Sequence, residues 1–182
     1  MLSKGVLKKA VLKKHVLSKN WLKAGWLISF GMASVIAVAS ALPAGYHKVS
    51  KTLSVSGYVH SKTQIEALKA EGVQVVISLL PDGEQTVLDE AEAVKQAGLS
   101  YVSIPVAGAA DLTEANVRAL DRALAEHVGE KVLVHCASGN RVGALLALRA
   151  NWLLGASPEE AIAIGQAAGM TRLEAAVREL LR

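Results

Sequence analysis

K-V-L-V-H-C-A-S-G-N-R-V-G, Lys131 to Gly143, holds the only cysteine of the 182-residue chain, and the fold is decided by how this stretch is read. Val132, Leu133 and Val134 are a short apolar run of the kind that forms a buried strand. His135 and Cys136 close it, a turn of small residues follows from Ala137 to Asn140, and Arg141 opens a helix-period run to Leu154. The pattern predicts strand, loop and helix N-terminus.

Such a junction binds anions. The first N–H groups of a helix have no partner within it and carry partial positive charge. Gly139 permits a backbone angle that turns amides inward, and Arg141 offers a planar fork for two oxygens of an oxyanion. A cysteine at the mouth of this loop is expected to favour thiolate. Cys136 is therefore the candidate nucleophile and Arg141 the anion clamp, with His135, Ala137, Ser138, Gly139 and Asn140 as the surrounding substrate-binding residues. Beside the nucleophile, His135 reads as an orienting neighbour rather than a proton-transfer group. The bland alternative, a small buried hydrophobe at a strand end, needs His135, Gly139 and Arg141 at loop spacing to be coincidence.

His135-Cys136-x-x-Gly139-x-Arg141 resembles the active loop of cysteine-dependent phosphatases and, equally, that of rhodanese sulfurtransferases. The phosphatase loop has five residues between Cys and Arg; here there are four, Ala137 to Asn140, which is the rhodanese spacing. Phosphatases also usually place Ser or Thr after the Arg, where this chain has Val142. Phosphate and sulfane-sulfur chemistry both stay open at this point.

Upstream, the net charge of +4 misleads. All sixteen acidic residues follow residue 41, whereas seven lysines precede it, so the remainder carries 13 basic against 16 acidic side chains, a formal −3. That balance excludes a basic nucleic-acid-binding domain. Residues 1–25 repeat every five positions (MLSKG, VLKKA, VLKKH, VLSKN, WLKAG) and form a basic leader, either a flank that touches anionic lipid or a low-complexity tract. Residues 26–42 are uncharged and read as a signal-peptide core or a membrane anchor. Ala39-Ser40-Ala41 suits a signal peptidase, whereas Trp26 to Tyr46 would span about 30 Å as a helix with an aromatic at each interface. Either way the remainder is expected outside the cytoplasm, periplasmic, released or held at the inner membrane.

Residues 43–54 read as a linker and 55–182 as one α/β domain. Strands are expected at Val55–Val59, Val73–Leu80, Leu99–Val106 and before Cys136. Helices are expected at about Gln64–Ala70, capped by Thr63, at Gln85–Ala97, and at Glu114–Val128 with Val117, Leu120, Leu124 and Val128 on one face. Alternation of this kind predicts a parallel-sheet core flanked by helices. Two closing helices are announced by Ser157-Pro158-Glu159-Glu160 and by a capping box from Thr171 to Glu174; they are read as structural.

From about Ser56 to Leu181 the chain resembles the beta-lactamase-hydrolase-like phosphatase family, through S-G-Y-V-H-S-K-T-Q, V-I-S-L-L-P-D-G-E, Y-V-S-I-P-V and H-C-A-S-G-N-R. The resemblance implies the tyrosine/dual-specificity phosphatase-like fold and phosphate-ester hydrolysis. It also implies a general acid on the loop after I-P-V, where Asp111 stands 25 residues before Cys136; capping of the next helix is the competing role for Asp111. Asp82, in Pro-Asp-Gly, reads as a turn residue. A phosphatase would use Cys136, Arg141 and Asp111 on an anionic small molecule or a phosphorylated substrate; a sulfurtransferase would need no Asp. Neither mechanism calls for a cofactor, and no cluster with metal-ligand spacing is present. A silent anion-binding module is the third possibility.

Overall fold

A computed structural model describes residues 41–84 and 87–182. The leader and nearly all of the expected export segment lie outside the described residues. Among the described residues, no helix is long and apolar enough to cross a membrane.

Five strands, β1 (His47–Lys48), β2 (Leu53–Ser56), β3 (Val75–Ser78), β4 (Ser100–Ser103) and β5 (Val132–His135), form one sheet in the order β1-β2-β5-β3-β4. β2, β5, β3 and β4 run parallel; β1 is an antiparallel edge strand on β2. The α/β fold with a parallel core is therefore as expected, with one antiparallel addition. That addition also corrects the linker: residues 43–54 hold β1 and the start of β2, so the sheet begins before residue 55.

β5 is the central strand, paired with β2 on one side and β3 on the other, and all four of its residues are buried. Alternation along it sends successive side chains to opposite layers. Val132 and Val134 join the apolar cluster built with α3 (Glu114–Glu126), α4 (Asn140–Trp152), α5 (Pro158–Ala167) and α6 (Glu174–Leu180). Leu133 joins the cluster under α1 (Lys62–Ala70) and α2 (Glu90–Gln96). The helices thus cover both faces, as a parallel sheet requires.

Helix ends depart from expectation where a nearer side chain provides the cap. Ser61, not Thr63, caps α1 by accepting the Gln64 N–H at 3.2 Å. α2 begins at Glu90 behind an Asp89 cap; Gln85, its expected start, lies outside the described residues. Thr113 caps α3, which ends at Glu126; Val128 lies beyond it and is exposed. The expected capping box at Thr171 does not form, because that residue's N–H and hydroxyl both turn to Asn140. The Ser157–Glu160 box forms reciprocally.

α4 and α5 cross through glycine. A Cβ on Gly143 would stand 2.8 Å from the Met170 Cβ and closer still to the Gly165 carbonyl and the Met170 N–H, both backbone. Backbone cannot yield as a side-chain tip does. Gly143→Ala is expected to destabilise the domain by about 1–3 kcal/mol by overpacking, despite its better helix propensity. Urea unfolding of the two proteins would show the lowered midpoint; an unchanged or raised midpoint would mean that the helices part at little cost.

Candidate active site

The site forms at the C-terminal ends of the parallel strands, where the connections leave a crevice. β5 ends at His135, and Gly139, with φ of +84°, is the N-cap of α4. A positive φ at this position favours glycine and lets four residues span from strand to helix. Beneath the loop, Gly57 pairs with Ser138, and a Cβ there would come 2.9 Å from the Ala137 carbonyl oxygen. The loop therefore rests directly on backbone. The first amides of α4, from Asn140 to Val142, have no partner within the helix and face the loop by helix geometry.

Cys136 is fully buried. This corrects the expectation of a cysteine at the loop's mouth: the sulfur lies under the loop, in the layer shared with Val134 and α4. His135 faces the other way. Its Nε2 stands 2.7 Å from Glu90 Oε1 of α2, with both side chains almost wholly buried, and Ser78 Oγ donates to Glu90 Oε2 at 3.4 Å. Strand alternation separates His135 from the thiol side of the sheet, so it supports the loop from below.

Arg141 is the best-anchored charge. Its Nη1 donates to the Val106 carbonyl at 2.7 Å and to Glu84 Oε2 at 2.8 Å, while Nη2 donates to Glu84 Oε1. The fork is thus bidentate on a carboxylate that reaches in from the exposed turn after β3. Tyr58 Oη adds a donation to Glu84 Oε1 at 2.9 Å. The Arg141 hydrogen bonds hold the Glu84 carboxyl below its ordinary pKa against an opposing burial effect. Glu84 in turn raises Arg141, with burial opposing and the Cys136 charge adding to the rise, which places the guanidinium beside the sulfur. The hydrogen bond to Glu84 is also the main reason that the Tyr58 phenol lies above its usual value.

A cleft of about 370 Å³ opens above this arrangement. Ala137, Ser138, Asn140 and Arg141 line it from the loop and α4, Glu84 from the turn after β3, and Ala107 and Gly108 from the segment after β4. Arg172 and Leu173 close it from the α5–α6 connection. Of the expected site residues, four therefore line the cleft; Cys136, Gly139, His135 and Asp111 are not among the lining residues. Asp111, half-buried in a short 3₁₀ turn (Ala109–Asp111), accepts the Ala107 N–H on Oδ2 at 2.7 Å. It therefore fastens the cleft's wall, and Thr113 does the helix capping. Among the described residues no group of three His, Cys, Asp or Glu side chains could hold a metal ion.

Tyr58, Glu84 and Arg172 were not singled out from the sequence. Glu84 carried a usable signal, a charged residue in the turn that follows a strand whose C-terminal end faces the crevice. Arg172 carried none beyond its place between two closing helices.

Residues 45–152 match the family described as the beta-lactamase hydrolase-like protein, phosphatase-like domain. The chain belongs to that family. Its solved relatives include a DUF442 protein from Shewanella putrefaciens CN-32, 30% identical over 69% of this chain and 80% of its own, with a TM-score of 0.57. A protein of Neisseria meningitidis z2491 is 28% identical over 74% of this chain and 94% of its own, with a TM-score of 0.60. TpbA of P. aeruginosa, 23% identical over 75% and 82% with a TM-score of 0.59, shares the fold. A comparison with curated proteins returns no match. The chain is a phosphatase-like enzyme on the cysteine-dependent phosphatase fold.

Proposed function

We propose that this protein hydrolyses phosphate monoesters, with Cys136 as nucleophile. The observation that carries the reading is the juxtaposition of a single buried cysteine and a nearly buried, carboxylate-anchored arginine across one four-residue loop, under an open cleft. The Cys136 thiolate attacks phosphorus, the P–O ester bond breaks, and the phosphoryl group passes to sulfur. Arg141 and the first amides of α4 stabilise its oxygens in the transition state. Water then attacks the phosphocysteine, the S–P bond breaks, and inorganic phosphate leaves. In the first step Asp111 gives its proton to the departing alkoxide; in the second it takes one from the water.

Asp111 also bonds the Ala107 N–H, so its two roles must be separated. Asn keeps an acceptor oxygen for that bond and loses the transferable proton. Asp111→Asn is expected to lower turnover of an alkyl phosphate about 100-fold or more and that of p-nitrophenyl phosphate far less, since nitrophenolate leaves without a proton. Equal losses on both esters would assign Asp111 to the loop's structure alone.

The four-residue spacing favours a second reading, in which Cys136 takes a sulfane sulfur as a persulfide and passes it to a thiol or to cyanide. A paired assay on the full chain decides between them: phosphate release from an aryl ester, and thiocyanate formation from thiosulfate and cyanide. Phosphate release without thiocyanate supports the hydrolase; thiocyanate alone makes this a sulfurtransferase on a phosphatase fold. The proposal also places the enzyme outside the cytoplasm, in contact with the membrane through its N-terminal segment, on the strength of the uncharged run 26–42 behind seven lysines.

A further inference from the structure

The cleft holds a second guanidinium that the chemistry above does not use. Arg172 lines it together with Arg141, yet the two are held differently. Arg141 is committed to Glu84 and the Val106 carbonyl. Arg172 is exposed and, among the described residues, has neither hydrogen bond nor ion pair. Among the described residues, two acids of the cleft and its rim are already engaged: Glu84 with Arg141 and Tyr58, and Glu174 with Gln166 and Arg178.

Its backbone, by contrast, is fixed to the active loop. Asn140 Oδ1, on the first residue of α4, accepts the Thr171 N–H at 2.8 Å, the Leu173 N–H at 3.2 Å and the Thr171 hydroxyl at 3.3 Å. These bonds grip the residues on either side of Arg172. Just before them Gly169, at φ +94°, lies against the loop, where a Cβ would stand in ordinary contact, 3.5 Å from the Gly139 backbone. One buried asparagine therefore ties the α5–α6 connection to the loop over the nucleophile, and the tie presents an unneutralised fork at the rim. A cation positioned in this way selects charge at a distance set by the fold.

We propose that Arg172 is a second anion-binding residue of this cleft and that the substrate is a small phosphomonoester carrying a further oxyanionic group, phosphate or carboxylate. The Arg141 end takes the reacting phosphoryl group, and Arg172 takes the second anion. A cleft of about 370 Å³ fits a small bis-anion rather than an extended polymer. The inference rests on the reading of this cleft as the phosphate site.

The test measures binding without turnover, by calorimetry at low salt, on full-length Cys136→Ser. The probes are phenyl phosphate, 3-carboxyphenyl phosphate and 1,3-phenylene bisphosphate. One or both bis-anions are expected to bind about 3- to 10-fold more tightly than phenyl phosphate, the scale of a partly exposed guanidinium–oxyanion pair, and which does so identifies the second group. Adding Arg172→Ala is expected to bring that ratio to about one; Arg172→Lys keeps part of it, and salt erodes it. A ratio of one before the arginine is removed, a ratio that survives its removal, or no binding of any probe overturns the proposal. Turnover of the same esters by the unsubstituted chain is read separately. A bis-anion preference without hydrolysis retains the second site and sinks the phosphatase reading; hydrolysis without the preference does the reverse.

Discussion

Cys136→Ser is expected to reduce phosphate release by about 10⁴-fold or more, to the background of the assay, while leaving the domain folded. The substitution exchanges sulfur for oxygen at a fully buried position between β5 and α4 and barely alters volume, so packing gives little reason for unfolding. What changes is the atom. A serine hydroxyl beside Arg141 does not ionise in the accessible pH range, and the neighbouring His135 cannot serve as its base, because it points to the opposite layer and faces Glu90. The measurement is ester hydrolysis by both proteins, with thermal unfolding as the control on folding. Residual hydrolysis within about tenfold of the unsubstituted chain would show that a group other than Cys136 attacks phosphorus. Loss of folding together with activity would show that the sulfur serves packing.

The fold was legible because its strongest signals are local. Val132 to Val134 reads as a buried strand, since an apolar run with no polar face has to be covered on both sides, and all four residues of β5 are buried. The α5 start was equally plain, with Ser157, Pro158 and Glu160 each in the position that orphan helix amides demand. β1 was not legible. His47–Lys48 is two residues long, and its place on β2 depends on a turn whose Ser50 hydroxyl accepts the Thr52 and Leu53 N–H groups. A two-residue strand leaves no periodicity to read.

At the site, the sequence carried the residue types, and tertiary contacts decided their uses. Cys136 and Arg141 were evident from spacing. That His135 would leave the cleft follows from strand alternation and could have been derived, since neighbours on a strand face opposite layers. Asn140 was read as a substrate ligand, and it does line the cleft, but its side-chain oxygen is taken by Thr171 and Leu173, more than thirty residues onward. No pattern in the loop announces a partner at that separation. Glu84 and Arg172 belong to the same class, with roles made by the approach of distant connections.

Arg141→Lys is the second large expected effect, and the argument turns on shape rather than charge. Arg141 serves Val106, Glu84 and the cleft at once because the guanidinium offers five donors in one plane. Lys keeps the positive charge on one nitrogen, which cannot reproduce the bidentate contact with Glu84 and present two donors to a phosphoryl group together. Turnover is expected to fall about 10²- to 10³-fold, the scale for loss of a transition-state donor, with a smaller change in KM. The substitution has a signature in stability as well. In the folded protein Arg141 holds the Glu84 carboxyl below its ordinary value, so the pair contributes stability above the unfolded carboxyl's pKa and loses it as pH falls through the lower, folded one. Without the fork that acid-side dependence is expected to shrink, and urea midpoints from neutral pH to about pH 3 compare the two proteins directly. Equal acid dependence in both would mean that Tyr58 and the turn, rather than Arg141, hold the Glu84 charge. Turnover retained within about threefold would mean that the clamp needs only a positive charge, and would place the donors on the α4 amides instead.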